Sequence, residues 1–273
     1  MLVSTPIGNL GDVSVRARTV LASCDLILCE DTRRTGRLLA AIDIRTRTDT
    51  LHDHNEDSKI PMVLGKLRGG QTICLVSDAG TPLVSDPGYR LVRAVIAEGL
   101  PVSAVPGPNA AVTALILSGL PPLPFMFLGF PPPRQAARRV GFGALRAAER
   151  AGLSATLVWH EAPHRLLETL DDVKDAFGDR SAAVARELTK RFETIERGKV
   201  SDLRALFSRE VPRGEITLLI GPPETDDPEE LDQRLRSALA TQTVKDAVAL
   251  VSMATGLPRK LVYARALQIH DEG

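Results

Sequence analysis

The sequence predicts an α/β protein: two α/β domains plus a small C-terminal helical module. Short apolar runs alternate with helix-period patterns, which is the mark of βαβ units and a mostly parallel sheet. Two glycine-bearing loops, Asp78-Ala79-Gly80-Thr81-Pro82 and Pro106-Gly107-Pro108-Asn109, follow such runs directly. Proline-rich breaks then divide the 273 residues into stretches of domain size.

In chain order, Met1 to Ser4, Leu26 to Cys29, Ile73 to Ser77 and Val102 to Val105 are apolar enough for strands. Between them, Val13, Ala17, Val20 and Leu21 suit one helix face, and Leu91, Val92, Val95 and Ile96 suit another. Asp86 and Pro87 predict the start of that second helix, as cap and first-turn proline. A further helix over about 109–118 meets Gly119, and Leu120-Pro121-Pro122-Leu123-Pro124 cannot continue it. Beyond this hinge, Phe125 to Leu128, Ala155 to Trp159, Ala182 to Ala185 and Ile216 to Ile220 read as strands, with a helix over Pro163 to Phe177. The acidic, proline-bearing stretch 221–227 reads as a linker, and Val244 to Ala254, Gly256 and Pro258 to Ile269 read as helix, turn, helix. Arg259, Lys260 and Arg265 on the last helix suit nucleic acid, while a packing appendage or dimer contact has an equal claim. The expected domains are therefore 1–119, 120–222 and 223–273.

Lys plus Arg equals Asp plus Glu, at 34 each, so any nucleic-acid contact must come from a local patch rather than a global field. Aromatics at 4% argue against a broad base-stacking platform. Cys24, Cys29 and Cys74 lack metal or redox spacing and read as buried thiols of a cytoplasmic protein. Neither an export signal nor a membrane span is expected.

Ligands of open parallel sheets bind beyond the carboxyl ends of the strands, where small residues let backbone amides come close. Neither the dinucleotide glycine fingerprint nor the P-loop signature is present. Asp78, at a strand end before Ala79 and Gly80, reads as functional, whereas Asp86 is already explained as a cap. Glu30-Asp31-Thr32-Arg33-Arg34 follows the second strand. Asp31 can cap a helix there, or the two guanidiniums can grip phosphate. His52, His54 and Glu56 would share one face of a strand and could hold a divalent ion, but substrate contact or loop packing explains them better.

Taken together, Thr5-Pro6-Ile7-Gly8-Asn9-Leu10-Gly11-Asp12, Glu30-Asp31-Thr32-Arg33, His52-Asp53-His54-Asn55-Glu56, Val76-Ser77-Asp78-Ala79-Gly80-Thr81-Pro82 with Ser85-Asp86-Pro87-Gly88, Pro106-Gly107-Pro108, Glu161-Ala162-Pro163-His164-Arg165 and Arg186-Glu187-Leu188-Thr189-Lys190 occur in order. This run resembles the bacterial 16S ribosomal RNA cytidine 2′-O-ribose methyltransferases of the tetrapyrrole methylase superfamily, over nearly the whole chain. The resemblance implies two α/β domains of tetrapyrrole methylase type with S-adenosylmethionine as cofactor in the cleft between them, a homodimer, and methylation of a decoding-centre cytidine of 16S rRNA in the assembled small subunit. It implies cofactor contacts at Pro6, Ser77, Asp78, Ala79, Gly80, Thr81, Ser85, Pro106, Gly107, Ala110, Leu188 and Gly214. Lys190, Glu30 and Glu187 are implied for catalysis, and Arg33, Arg34, Arg37, His54 and Arg165 for RNA; no metal is required. Arg134, Arg138 and Arg139 would add a second basic patch. The first strand is shorter than the family's, so either the true start lies upstream or the sheet core is weakened. The runner-up activity is C-methylation of a tetrapyrrole precursor. A metal-dependent phosphohydrolase and a non-enzymatic RNA-binding protein are the rivals from other classes.

Overall fold

The computed structural model describes residues 1–209, 212–223, 228–255 and 257–271. These form two compact units, Met1–Thr113 with Glu187–Thr194, and Ala114–Arg186 with Ile195–Gly273. The Glu187–Thr194 segment, distant in sequence, is thus part of the first unit.

In the first unit β1 (Leu2–Val3), β2 (Leu26–Cys29), β3 (Thr48–Thr50), β4 (Ile73–Leu75) and β5 (Ala104–Val105) form a sheet of order β3-β2-β4-β1-β5. Its pairings are parallel. The connecting helices are α1 (Val15–Ser23), α2 (Thr32–Ala41), α3 (Glu56–Arg68) and α4 (Tyr89–Ala97), and α5 (Ala110–Ser118) follows β5. Both faces of the sheet are covered, so β2 is buried at every position. Its alternate residues feed two cores: Ile27 and Cys29 pack with Ala17, Leu21 and Leu39, while Leu26 and Leu28 pack with Val63, Leu91 and Val95. All three cysteines are buried free thiols.

Local chemistry sets the helix starts. Ser14 Oγ accepts from Ala17 N at 3.0 Å, Asp31 Oδ1 from Arg33 N at 2.8 Å, and Asn109 Oδ1 from Val112 N at 3.1 Å. The expected cap at Asp86 is wrong. The helix begins at Tyr89 with Gly88 as its cap residue at φ 116°, and a Cβ there would lie 2.5 Å from Leu75 Cδ2. The capping carboxylate comes instead from α3, where buried Glu56 accepts from Leu91 N at 2.7 Å and from Arg90 Nε at 3.3 Å. Glu56 is therefore committed to structure, which removes the third donor from the metal reading of His52 and His54. Among the described residues no group of three or more His, Cys, Asp or Glu is arranged to hold a metal ion.

In the second unit β6 (Phe125–Phe127), β7 (Thr156–Glu161), β8 (Ser181–Arg186), β9 (Thr194–Lys199) and β10 (Ile216–Ile220) are ordered β6-β7-β10-β8-β9. β6 runs parallel to β7, and β10 antiparallel to both β7 and β8. α6 (Gln135–Arg150), α7 (Leu166–Phe177) and α8 (Val200–Arg209) accompany this sheet. Its core centres on Phe142, whose ring lies 5.5 Å from both Trp159 and Phe177. Two buried ion pairs brace it. Arg138 Nε donates to Asp172 Oδ2 at 2.7 Å, and Arg180 Nη1 to Glu149 Oε1 at 2.8 Å. Arg138 is fully buried, so the expected basic patch of Arg134, Arg138 and Arg139 loses its central member to the interior.

The C-terminal helices α9 (Pro228–Leu239), α10 (Val244–Thr255) and α11 (Arg259–Asp271) enclose a small core of their own, including Leu235, Ala247, Val251, Val262 and Ala266. Residues 224–227 of the expected linker and Gly256 of the expected turn lie outside the described residues. Arg265, expected to reach nucleic acid, is paired with Asp232 of α9. No described helix is long and apolar enough to cross a membrane.

Candidate functional site

Because the first sheet is parallel, the loops after all its strands open at one edge. Three of them are knitted together. Thr5 N donates to Gly80 O at 2.8 Å, and Gly80 N returns the bond to Thr5 O at 3.1 Å, joining the loops after β1 and β4. Thr81 Oγ1 donates to Pro108 O at 3.2 Å, joining the loops after β4 and β5. Inside the middle loop Ser77 Oγ donates to Gly80 O at 3.1 Å, while Thr5 Oγ1 donates to Ser77 O at 3.2 Å. Two glycines make the approach possible. A Cβ on Gly107 would sit 2.9 Å from Ser4 Cβ, and one on Gly80, at φ 79°, would sit 3.2 Å from Ile7 Cγ2.

The Glu187–Lys190 turn meets the loop after β1. A Cβ on Gly8 would fall 2.8 Å from Thr189 Oγ1 and 3.0 Å from Leu188 O, so only glycine allows this contact. Glu187 and Thr189 both hold left-handed backbone, at φ 51° and 65°. Such strain costs of order 1–3 kcal/mol per residue and persists only where surroundings enforce it. Thr189 Oγ1 is buried without a hydrogen-bond partner among the described residues. Lys190 Nζ donates to Glu187 Oε1 at 2.8 Å.

Charged groups rim the other half of the edge. Asp78 accepts from Asp31 N at 3.2 Å and from Arg34 Nη1 at 3.0 Å, so the loop aspartate binds both the α2 cap and an α2 guanidinium. Arg33 is exposed and folds back on Asp31, and Arg37 and His54 are exposed. Partial burial, with Asp78 and Asp53 nearby, pushes the Glu30 carboxyl up; Arg34 and His52 oppose this. Arg165 lies in the second unit and is held by buried Glu161. Gly214, also in that unit, has φ 88° just ahead of β10.

Freed from capping, Asp86 is the residue sequence reasoning missed. Burial first, then Glu30 and Asp78, push its carboxyl up to about 7, with Ser77 opposing. The signal was ambiguous, since an aspartate before proline also reads as a helix cap. The folded state holds the Asp86 proton where the unfolded chain has released it, so this group's contribution to stability is lost as pH rises from about 4 to about 7. Asp86→Asn is therefore expected to match the wild type at pH 4 and to exceed it at pH 8 by about 1–2 kcal/mol, after discounting for partial exposure. Urea unfolding at both pH values checks this; equal stability at pH 8 contradicts it.

Residues 1–204 match the family model described as tetrapyrrole (corrin/porphyrin) methylases, and residues 225–270 match that described as the RsmI C-terminal HTH domain. The chain is 42% identical to ribosomal RNA small subunit methyltransferase I of Mesorhizobium japonicum, covering 99% of this chain and 92% of that protein. The protein of that name from Escherichia coli O157:H7 is also 42% identical, covering 98% of this chain and 94% of its own length. Among solved structures, the cobalt precorrin-4 methyltransferase CbiF superposes with a TM-score of 0.58 at 18% identity, over 80% of this chain and 93% of its own. The uroporphyrin-III C-methyltransferase of Thermus thermophilus gives 0.54 at 19%, over 80% and 91%, and both likenesses speak to fold alone. By sequence along its whole length, this chain belongs to the tetrapyrrole methylase family and, within it, to the ribosomal RNA small subunit methyltransferase I proteins.

Proposed function

We propose that this protein is an S-adenosylmethionine-dependent methyltransferase that modifies the ribose 2′-oxygen of a decoding-centre cytidine in small-subunit rRNA. The observation that carries the reading is the convergence of the loops after β1, β4 and β5 with the Glu187–Lys190 turn. These residues suit such a cofactor. Backbone amides and carbonyls of small residues dominate, glycines stand where any Cβ would close the approach, and the Thr189 hydroxyl is left buried without a partner among the described residues. Pro6, Ser77 to Thr81, Ser85, Pro106, Gly107, Ala110 and Leu188 would hold it.

When bound, the cofactor supplies a methyl group activated by a sulfonium. The residues of this chain then have two tasks, to align the ribose oxygen and to take its proton. Alignment can be worth about 7–11 kcal/mol of the barrier, so a well-positioned ribose needs modest chemical help. The Lys190–Glu187 pair is the proposed proton acceptor, with Nζ taking the ribose proton as it passes one of its own to Glu187 Oε1, to which it already donates; Glu30 stands second. Arg33, Arg34, Arg37 and His54 would meet the RNA, their guanidiniums matching phosphate oxygens. Arg165, already bound to Glu161, contributes to the second unit's structure first.

The protein would act in the cytoplasm on assembled small subunits, as a homodimer. Val112 and Ile116, apolar yet 46% and 71% exposed on α5, support self-association. C-methylation of a tetrapyrrole is the second reading; the C-terminal module and the full-length relatives weigh against it. The test is transfer of labelled methyl from S-adenosylmethionine to small subunits lacking the modification, against uroporphyrinogen. Label in the ribose of one cytidine supports the proposal; label in the tetrapyrrole, or in neither, contradicts it.

A further inference from the structure

The helical module carries an open groove of about 620 Å³ that the methyl-transfer reading does not use. Asp246, Leu250 and Met253 line it at intervals of one helical turn along α10, with Gln242 just ahead of that helix, and Leu257 and Arg259 line it where the chain enters α11. Its apolar side chains face water, with Leu250 44% and Met253 81% exposed. Ser252 also lines it; the residue is 8% exposed, and its Oγ has no hydrogen-bond partner among the described residues. A hydroxyl buried in this way carries an unmet desolvation cost, which a ligand polar group can relieve. The lining carboxylate, Asp246, accepts from Thr243 Oγ1 at 2.6 Å and keeps its charge, but exposed Arg259 and its neighbour Lys260, which make no ion pair among the described residues, outnumber it. The available charge at this groove is positive.

An apolar plate beside free cations suits a nucleotide better than a protein side chain, which would leave both Arg259 and Ser252 unanswered. Insertion of α11 into a duplex groove is disfavoured, because Arg265 is paired and Leu261, Tyr263 and Leu267 stand exposed on that helix. Proteins read RNA mainly through unstacked bases laid against side chains. We propose that this groove binds one unpaired nucleotide of RNA, its base against Leu250 and Met253 and its phosphate at Arg259. The inference rests on the ribosomal RNA reading, yet it fails separately, since methyl transfer by the unaltered protein tests that reading alone.

The test measures binding of the full chain to a short single-stranded RNA, and to the same RNA annealed as a duplex, by fluorescence anisotropy across salt concentrations. Both variants replace exposed side chains. Met253→Glu is expected to weaken single-strand binding about tenfold, the scale of losing part of one buried apolar side-chain contact, and to leave duplex binding unchanged. Arg259→Gln is expected to lower the salt slope by about 0.7, the contribution of one phosphate contact on a single strand. Single-strand affinity unchanged in both variants, or single-strand and duplex affinity falling together, overturns the proposal. Unchanged RNA affinity with impaired methylation of intact subunits also overturns it, and assigns the groove to a protein partner.

Discussion

Asp172→Ala is expected to destabilise the second unit by about 3–5 kcal/mol, the cost of leaving a buried charge without its counter-ion. Asp172 is fully buried and accepts from Arg138 Nε at 2.7 Å, Arg139 Nε at 2.7 Å and Gln135 Nε2 at 3.2 Å. Burial alone would push its carboxyl up, but the bonds from Arg139, Arg138 and Gln135 outweigh that and hold it below the ordinary carboxylate range. Truncation leaves fully buried Arg138 with Glu168 at 3.7 Å as its remaining carboxylate among the described residues, a poor substitute because that side chain is 70% exposed. Asp175→Ala is the control, because Asp175 meets Arg139 at 3.0 Å with 66% of its side chain exposed. That substitution is expected to change stability by less than about 1 kcal/mol. Urea unfolding of both variants measures the difference; a cost below about 1 kcal/mol for Asp172→Ala contradicts the structural role assigned to Arg138.

Lys190→Met is expected to slow methyl transfer by about 10²–10⁴-fold while leaving cofactor affinity little changed. Methionine keeps the Cγ that packs toward Gly8 and removes the amine, so the loop contact survives and the proton acceptor does not. Glu187→Gln keeps a hydrogen-bond partner for Nζ but cannot take its proton, and is expected to slow transfer by a similar factor. Single-turnover rates and calorimetric cofactor affinities separate the two effects. A rate within a few-fold of wild type transfers the acceptor role to Glu30; a parallel loss of cofactor binding makes Lys190 a structural member of the turn.

Much of the fold was legible because its central strands are uninterrupted apolar runs. Leu26 to Cys29 and Ile216 to Ile220 were bounded from sequence as they stand in the structure. β3 and β9 escaped, since Thr48-Asp49-Thr50 and Thr194-Ile195-Glu196-Arg197-Gly198-Lys199 are not apolar and owe their pairing to neighbouring strands. The misreadings share one cause, a partner distant in sequence. Asp86 reads as a cap until Glu56 arrives from α3 to bond Leu91, and Arg138 reads as a surface cation until Asp172 arrives from α7. Of the candidate site, the glycine loops announced themselves through residue type and strand-end position. The seating of Leu188 to Lys190 against Gly8 did not, because periodicity cannot bring together segments some 180 residues apart.

The central claim is that the knitted loops of the first sheet grip the cofactor through main-chain atoms. Calorimetric titration of S-adenosylmethionine into the wild type and Gly107→Val tests it most directly, with circular dichroism confirming that both are folded. Saturable uptake by the wild type, weakened about tenfold or more when a side chain is forced against Ser4, is the predicted result. No uptake by the wild type, or equal affinity in the two proteins, would contradict the account.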